Sequence, residues 1–169
     1  MATIRNETTA DVRGIHAVNA AAFESDAEAK LVDALRDQCV DPFLSLVAEL
    51  DGRIVGHILF TPVLVVGAAD WSAVALAPMG VLSEFQRTGI GSLLVVTGLN
   101  ACRDSGHDVV FVLGHPEYYP RFGFRRMSEF GITCEFDAPD DVLMVAELRE
   151  GAIAGRKGEV RYHPLFKNV

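Results

Sequence analysis

The sequence predicts an α/β fold, on three observations. A β-hairpin signal lies in the first third, a strand–helix–strand unit occupies the middle, and short apolar runs close the chain. In the hairpin, "PFLSLVAEL" and "RIVGHILFTPVLV" flank Asp51-Gly52, a dipeptide favoured in two-residue turns. In the central unit, "WSAVALAPMGVL" reads as a strand, residues 91–103 as a helix that is apolar round much of its circumference, and "DVVFVLG" as a buried parallel strand. "MSEFGITCEF" and "DVLMVAEL" read as closing strands, and "GEVRYHPLF" as a tail that pairs at an edge.

The remaining elements follow in order. "ATIR" fits a short first strand. Thr8 with Asp11 resembles a helix-start box, after which Val12, Ile15, Ala22 and Phe23 fall near one helical face. Ser25 with Glu28 starts a second helix over "DAEAKLVDALRD", carried by Leu31 and Leu35, and residues 24–26 join the two. Ala77-Pro78 predicts a bulge or an interruption in its strand, because Pro donates no ladder hydrogen bond. "HPEYYPRFGF" predicts a short aromatic helix or turn that ends at Gly123.

The length of 169 residues fits one domain, residues 1–169. Half of the residues are hydrophobic, enough for a full core. A net charge of −8 and a pI near 5.0 argue against a general nucleic-acid binder, which carries a basic face. Cys39, Cys102 and Cys134 are odd in number and lack metal-ligand spacing, so they read as small buried apolar residues in a reducing compartment. His16, His57, His107, His115 and His163 form no ligand pair either, and no metal site is expected. The N-terminus carries charges and no long apolar core, and no segment approaches a membrane span. The expectation is a soluble, cytoplasmic protein with no nucleic-acid and no membrane partner.

The most informative stretch is "GVLSEFQRTGIGSLLVV". The turn "QRTGIGS" lies between a strand and a helix. The first amides of that helix lack intrahelical partners, and the helix dipole adds partial positive charge. Gly89 and Gly91 let an anion approach the backbone, and Arg87 adds a formal charge. The combination is a phosphate or pyrophosphate cradle, or else a glycine-tolerant turn with no ligand. A dinucleotide fingerprint fails because the third glycine position is Leu94, and a P-loop fails for want of Gly-Lys-Ser or Gly-Lys-Thr.

"QRTGIG" matches the Gln/Arg-x-x-Gly-x-Gly/Ala pattern of the GNAT superfamily of acyl-CoA-dependent N-acyltransferases. "MGVL" stands just upstream, where those enzymes carry a bulged fourth strand. "YYPRFGF" stands after the next strand, where they carry Tyr-x-x-x-Gly-Phe. "IR…ADVRGIHAVNAAAF" resembles their first strand and helix, so the resemblance covers essentially the whole chain. It implies a GNAT-type fold: a central mixed, mostly antiparallel sheet of six to seven strands, with a splayed parallel pair at the fourth and fifth strands and flanking helices. It also implies acetyl-CoA as cosubstrate. The pyrophosphate would lie on the amides of Arg87, Thr88, Gly89, Ile90, Gly91 and Ser92, with Gln86 at the entrance. The pantetheine arm would pair with backbone at Met79, Gly80 and Val81, as an added strand. Arg121 either reaches a CoA phosphate or is a solvated surface residue.

The resemblance implies direct transfer of an acetyl group to a primary amine. A lysine-like amine has a pKa of about 10.4, and freeing it at pH 7 costs about 4.6 kcal/mol. A base or a desolvating pocket is therefore expected. Tyr119, four residues before Gly123, matches the family's acid Tyr; its neighbour Tyr118 is either a second functional residue or packing. An amide near Met79 or Val81 would serve the oxyanion. Many family members carry a Glu on the fourth strand, yet "SAVALAPMGV" contains no acid. Glu24, between the first two helices, is the candidate base or amine anchor, or a solvated loop acid. His115 and His57 could face the cleft or pack, Glu84 sits beside the turn, and Trp71, Phe23 and Phe60 could wall an acceptor pocket or pack in the core. The acceptor is a small-molecule amine or a protein amine, and the family's habit makes a homodimer a candidate. The missing strand acid also fits a CoA-binding regulatory module with little or no catalysis. A nucleotide-binding α/β protein of another kind is the third reading.

Overall fold

The computed structural model describes residues 1–169 and places them in two compact units. The first comprises Met1–Thr61, Ala77–Gly98 and Pro164–Val169, the second Pro62–Leu76 and Leu99–His163. The strands lie in a seven-stranded sheet and a three-stranded sheet. No helix is long and apolar enough to cross a membrane.

The first unit opens with β1 (Thr3–Asn6) and a single 3-10 turn, then α1 (Val12–Ala22) and α2 (Ala27–Asp37). The predicted start box is present. Thr8 N and Oγ1 both donate to the Asp11 carboxylate, at 2.7 and 3.1 Å, and Arg5 pairs with the same carboxylate at 2.7 Å. Ile15 is fully buried as expected, whereas Phe23 lies at the helix end with 38% exposure. Next come β2 (Leu44–Leu50) and β3 (Arg53–Pro62), antiparallel from Leu44↔Phe60 to Leu50↔Arg53. Asp51 and Gly52 both take positive φ, 52° and 77°, as a type I′ turn requires. Ile15, Leu31, Val32, Leu35, Val47 and Leu59 make one core cluster, and Leu165 and Phe166 from the C-terminus pack against it.

The predicted long strand after the hairpin is two strands. β3 ends at Pro62, and β4 (Leu64–Val66) belongs to the smaller sheet. Pro62 has no N–H for the ladder, and the next amide, Val63, donates to Ala73 O instead. β5 (Ala73–Val81) runs without a break through Ala77-Pro78, so the expected interruption is absent from the strand itself. It falls in the pairing. β5 is parallel to β6 (Val109–Leu113) over Ala73↔Val109, Val74↔Val110 and Ala75↔Phe111, and the register stops there. α3 (Ile90–Asp104) lies between them in sequence, which completes the predicted strand–helix–strand unit.

The second unit adds β7 (Arg125–Arg126), β8 (Ile132–Cys134), β9 (Leu143–Glu147) and β10 (Gly158–Arg161). The larger sheet has the order β1-β2-β3-β5-β6-β9-β7, mostly antiparallel, with β5/β6 its parallel pair. The C-terminal tail does not pair at an edge. β10 is the central strand of β4-β10-β8, antiparallel to β4 and parallel to β8. The cysteines also depart from expectation: Cys102 is buried, Cys134 is half-buried and Cys39 is exposed.

Candidate active site

Within the first unit, the chain from Met79 to Ser92 builds one continuous candidate site. Leu82 N donates to Val55 O at 2.9 Å and ties the end of β5 to β3. A 3-10 turn, Ser83–Phe85, follows. Arg53 braces that turn through an exposed pair with Glu84 at 3.2 Å and by standing 5.7 Å over the Phe85 ring. Gln86 then folds back, its Nε2 donating to Val81 O at 3.0 Å, and Thr88 Oγ1 donates to Phe85 O. Arg87 and Gly89 take positive φ, 62° and 90°. A positive φ is uncommon for a residue with a side chain, and such backbone is held by its surroundings.

This turn delivers the chain into α3. The first helical bond runs from Leu93 N to Gly89 O at 3.0 Å, so the amides of Ile90 and Gly91 precede the ladder and point out of the helix end. A Cβ at Gly89 would meet no heavy atom within 4 Å, so the space over the turn is open. Gln86, Arg87, Thr88 and Gly89 are exposed, while Ile90 is buried and anchors the helix. An anion here would meet free amides, the positive end of a 15-residue helix and one guanidinium. The residues therefore fit a pyrophosphate. Gly80 is buried, and a Cβ there would stand 3.1 Å from Ala22 Cβ, 3.3 Å from Asn19 Oδ1 and 3.6 Å from Phe23 Cε2. The last turn of α1 thus rests directly on β5 backbone. Glu24, one residue further, is exposed with φ of 53°.

In the second unit, Tyr119 opens the 3-10 helix Tyr119–Phe122, which ends at Gly123 with φ of 95°. The predicted aromatic turn is therefore present. Tyr119 is 7% exposed, edge-on to Tyr118 at 5.1 Å and to Phe124 at 5.6 Å. Gly114 makes room for its ring, since a Cβ there would overlap it. Burial, with Tyr118 beside it, pushes the Tyr119 hydroxyl above the usual tyrosine range, so it stays protonated. Arg121 is exposed; its Nε donates to Tyr118 O at 3.1 Å and its guanidinium lies 4.6 Å over the Tyr118 ring.

The other candidates are placed as follows. Trp71 is buried edge-on to Phe111 at 6.1 Å, and Phe60 is fully buried where Gly98 of α3 leaves space for its ring. His115 is exposed, and its carbonyl accepts from the Tyr118 and Tyr119 amides. His57 is fully buried between Asn19 and Ser45. Two features escaped the sequence: the Gln86 contact to Val81 and the Asn19–His57–Ser45 chain. Neither has a local signal, because each depends on where a side chain folds back.

A helix N-terminus opened by a left-handed turn, directly after a strand whose parallel register ends halfway, is the arrangement expected of an acyl-CoA-dependent transferase. The comparison with known families gives the same class: the family described as "Acetyltransferase (GNAT) domain" matches residues 3–127, and the chain belongs to that family. It is 36% identical over 166 residues to YhbS of Escherichia coli (strain K12), described as an uncharacterized N-acetyltransferase, covering 96% of this chain and 97% of that one. A second relative from the same strain, YjhQ, with the same description, is 44% identical over 134 residues, 78% of this chain and 74% of its own. The crystal structure of E. coli YhbS in complex with CoA superposes with a TM-score of 0.93 at 36% identity, covering 98% of this chain and 92% of that one. A GNAT family acetyltransferase from Brucella melitensis, solved with acetyl-CoA, gives 0.81 at 34% identity, with 98% of each chain covered. The protein is an acyltransferase with the GNAT fold.

Proposed function

We propose that this chain moves the acetyl group of acetyl-CoA directly to a primary amine, with residues 1–169 acting as one N-acetyltransferase domain. The observation that carries the reading is the open start of α3, where Arg87 and Gly89 turn left-handed and nothing stands within 4 Å of a Cβ at Gly89. The crystal structures of the two relatives, with CoA and acetyl-CoA, support the cosubstrate. Acetyl-CoA supplies the thioester. Gln86, Arg87, Thr88, Gly89, Ile90, Gly91 and Ser92 hold the pyrophosphate, and Arg121 adds charge for a phosphate. Met79, Gly80 and Val81 offer backbone to the pantetheine arm, and an amide near Met79 or Val81 donates to the oxyanion of the tetrahedral intermediate.

Tyr119 is the general acid in this reading. Its hydroxyl donates to the sulfur as the C–S bond breaks, while the amine nitrogen forms the new C–N bond and loses a proton. An ordinary thiol has a pKa of about 8.5 and Tyr about 10, so full transfer from Tyr is uphill by roughly 2 kcal/mol even before burial raises it. The role is therefore a hydrogen bond to the developing thiolate. Glu24 is the proposed base or amine anchor, exposed at the α1–α2 junction. The acceptor is a small-molecule or protein amine, and a homodimer is the assembly we propose.

The test is a thermal-shift titration with acetyl-CoA, CoA, ATP and NAD. A ligand at 100 times its Kd stabilises by about 2.7 kcal/mol. A shift with the CoA ligands alone is expected, followed by acetyl transfer in an amine screen. No shift with either CoA ligand overturns the reading. The absence of any carboxylate on β5 favours one second reading, a CoA-binding regulatory module. It predicts the same shift, no turnover with any amine, and a silent Tyr119→Phe.

A further inference from the structure

A buried polar chain crosses the first unit, and the proposed chemistry does not use it. Asn19 on α1, Ser45 on β2 and His57 on β3 are 0, 4 and 0% exposed. Asn19 Nδ2 lies 3.1 Å from Ile15 O and 3.0 Å from His57 Nδ1, and His57 Nε2 lies 2.8 Å from Ser45 Oγ. The protons follow by exclusion. The Ile15 carbonyl can only accept, so the amide nitrogen of Asn19 must face it. That nitrogen then also donates to Nδ1, so the ring proton sits on Nε2 and is donated to Ser45. Ser45 in turn bonds the Glu7 carboxylate, which Arg36 grips at 2.8 and 2.9 Å. Burial holds the imidazole neutral, its pKa pushed down to about 3.

The far end of the chain is Asn19 Oδ1. It is buried and receives no hydrogen bond from the protein. It faces Gly80, where a Cβ would stand 3.3 Å away. A buried acceptor without a donor is costly. What the amide does supply is direction. Its bond to Ile15 O lies within α1 and orients the amide; its bond to His57, carried on to Ser45, ties the rotation of α1 to β3 and β2. Phe23 N donates to Asn19 O at 3.1 Å, so the last turn of α1 is fixed with it. On the other side, Leu82 N to Val55 O holds β5 to β3, two residues beyond Gly80 and two before His57.

We propose that His57 and Asn19 are positioning residues for coenzyme A: they seat the end of α1 on Gly80 and so set the backbone of residues 79–81 against which the pantetheine arm pairs. This rests on the function proposed above. Neither residue touches the ligand. Each acts through Gly80, where α1 stands so near that a Cβ would press on Ala22 Cβ at 3.1 Å.

The test is calorimetric titration of CoA into wild type, His57→Leu, His57→Asn and Val32→Ala. The Asn side chain places an oxygen where Nδ1 stands and keeps the acceptor for Asn19, whereas Leu removes it. Val32 belongs to the core of the same unit but not to the polar chain, so Val32→Ala controls for lost stability. His57→Leu weakens CoA binding roughly tenfold, and His57→Asn by less than about threefold. Val32→Ala leaves it unchanged. Wild-type affinity in His57→Leu, or equal weakening in Val32→Ala, overturns the proposal. Should His57→Leu fail to fold, the wild type still decides: the His57 ring nitrogens in a 15N spectrum shift on saturation with CoA, and unmoved resonances overturn it. Failure of wild type to bind CoA at all removes the function proposed above, and this inference with it.

Discussion

At Tyr119 the packing and the proposed chemistry can be separated. Its ring is held by Tyr118, Phe124 and the bare backbone of Gly114, all contacts that a phenylalanine would keep. Only the hydroxyl is at stake in Tyr119→Phe. If that hydroxyl meets the departing thiolate, the substitution lowers kcat by roughly 10²–10⁴-fold, the range of a positioned acid, and leaves CoA affinity within about twofold. Steady-state rates with acetyl-CoA and an accepted amine, beside a CoA titration, separate the two quantities. An unchanged kcat moves the acid elsewhere. A loss of CoA affinity would instead show that the residue serves binding. Glu24 has no such frame: it is exposed and pairs with nothing that would aim it. Its role depends on the acceptor that arrives.

At the scale of the element, α3 is fixed by a glycine against a ring. Gly98 is buried in mid-helix, where alanine normally improves helix stability by about 1 kcal/mol. Here a Cβ would drive into the ring of Phe60, itself fully buried on β3. Gly98→Ala therefore destabilises, by about 1–3 kcal/mol as overpacking does, and the sign alone decides it in urea unfolding. The same element shows what a sequence can carry. The start of α3 was legible because its signal is contiguous, a strand followed at once by "QRTGIGS", and so was the type I′ hairpin at Asp51-Gly52. The short aromatic turn that ends at Gly123 was legible from "HPEYYPRFGF". The place of β10 was not: its partners at residues 64–66 and 132–134 are far off in sequence, and nothing local distinguishes a central strand from an edge. The polar chain failed for the same reason. Asn19 and His57 are 38 residues apart, and His57 alone reads as a polar residue in an apolar strand.

For the whole molecule, the buried imidazole governs stability in mild acid. Desolvation lowers the pKa of His57 from 6.5 to about 3; the charge of Glu7 opposes this and that of Arg36 adds to it. The folded state thus refuses a proton that the unfolded chain accepts below pH 6.5. The unfolded state binds more protons across this window, so stability falls as pH falls from 6.5 toward 3. The loss between pH 7 and pH 5 amounts to about 2 kcal/mol. Carboxylates act later. Arg5 holds Asp11 well below the usual carboxylate range. Burial raises Glu7, but Arg36 and Ser45 together outweigh it and leave Glu7 lowered. Their stabilisation is complete above the ordinary carboxylate value, about 4, and is lost only as pH drops through the folded values. The histidine window therefore opens first, and above pH 5 it acts without the carboxylates. Urea midpoints for wild type should fall from pH 7 to pH 5 and continue to fall below pH 4. His57→Gln should be flat over the first interval and decline in the second. A wild-type curve already flat between pH 7 and 5, or a His57→Gln curve as steep as the wild type there, would show that the proton is taken up elsewhere and that His57 is not the group excluded from it.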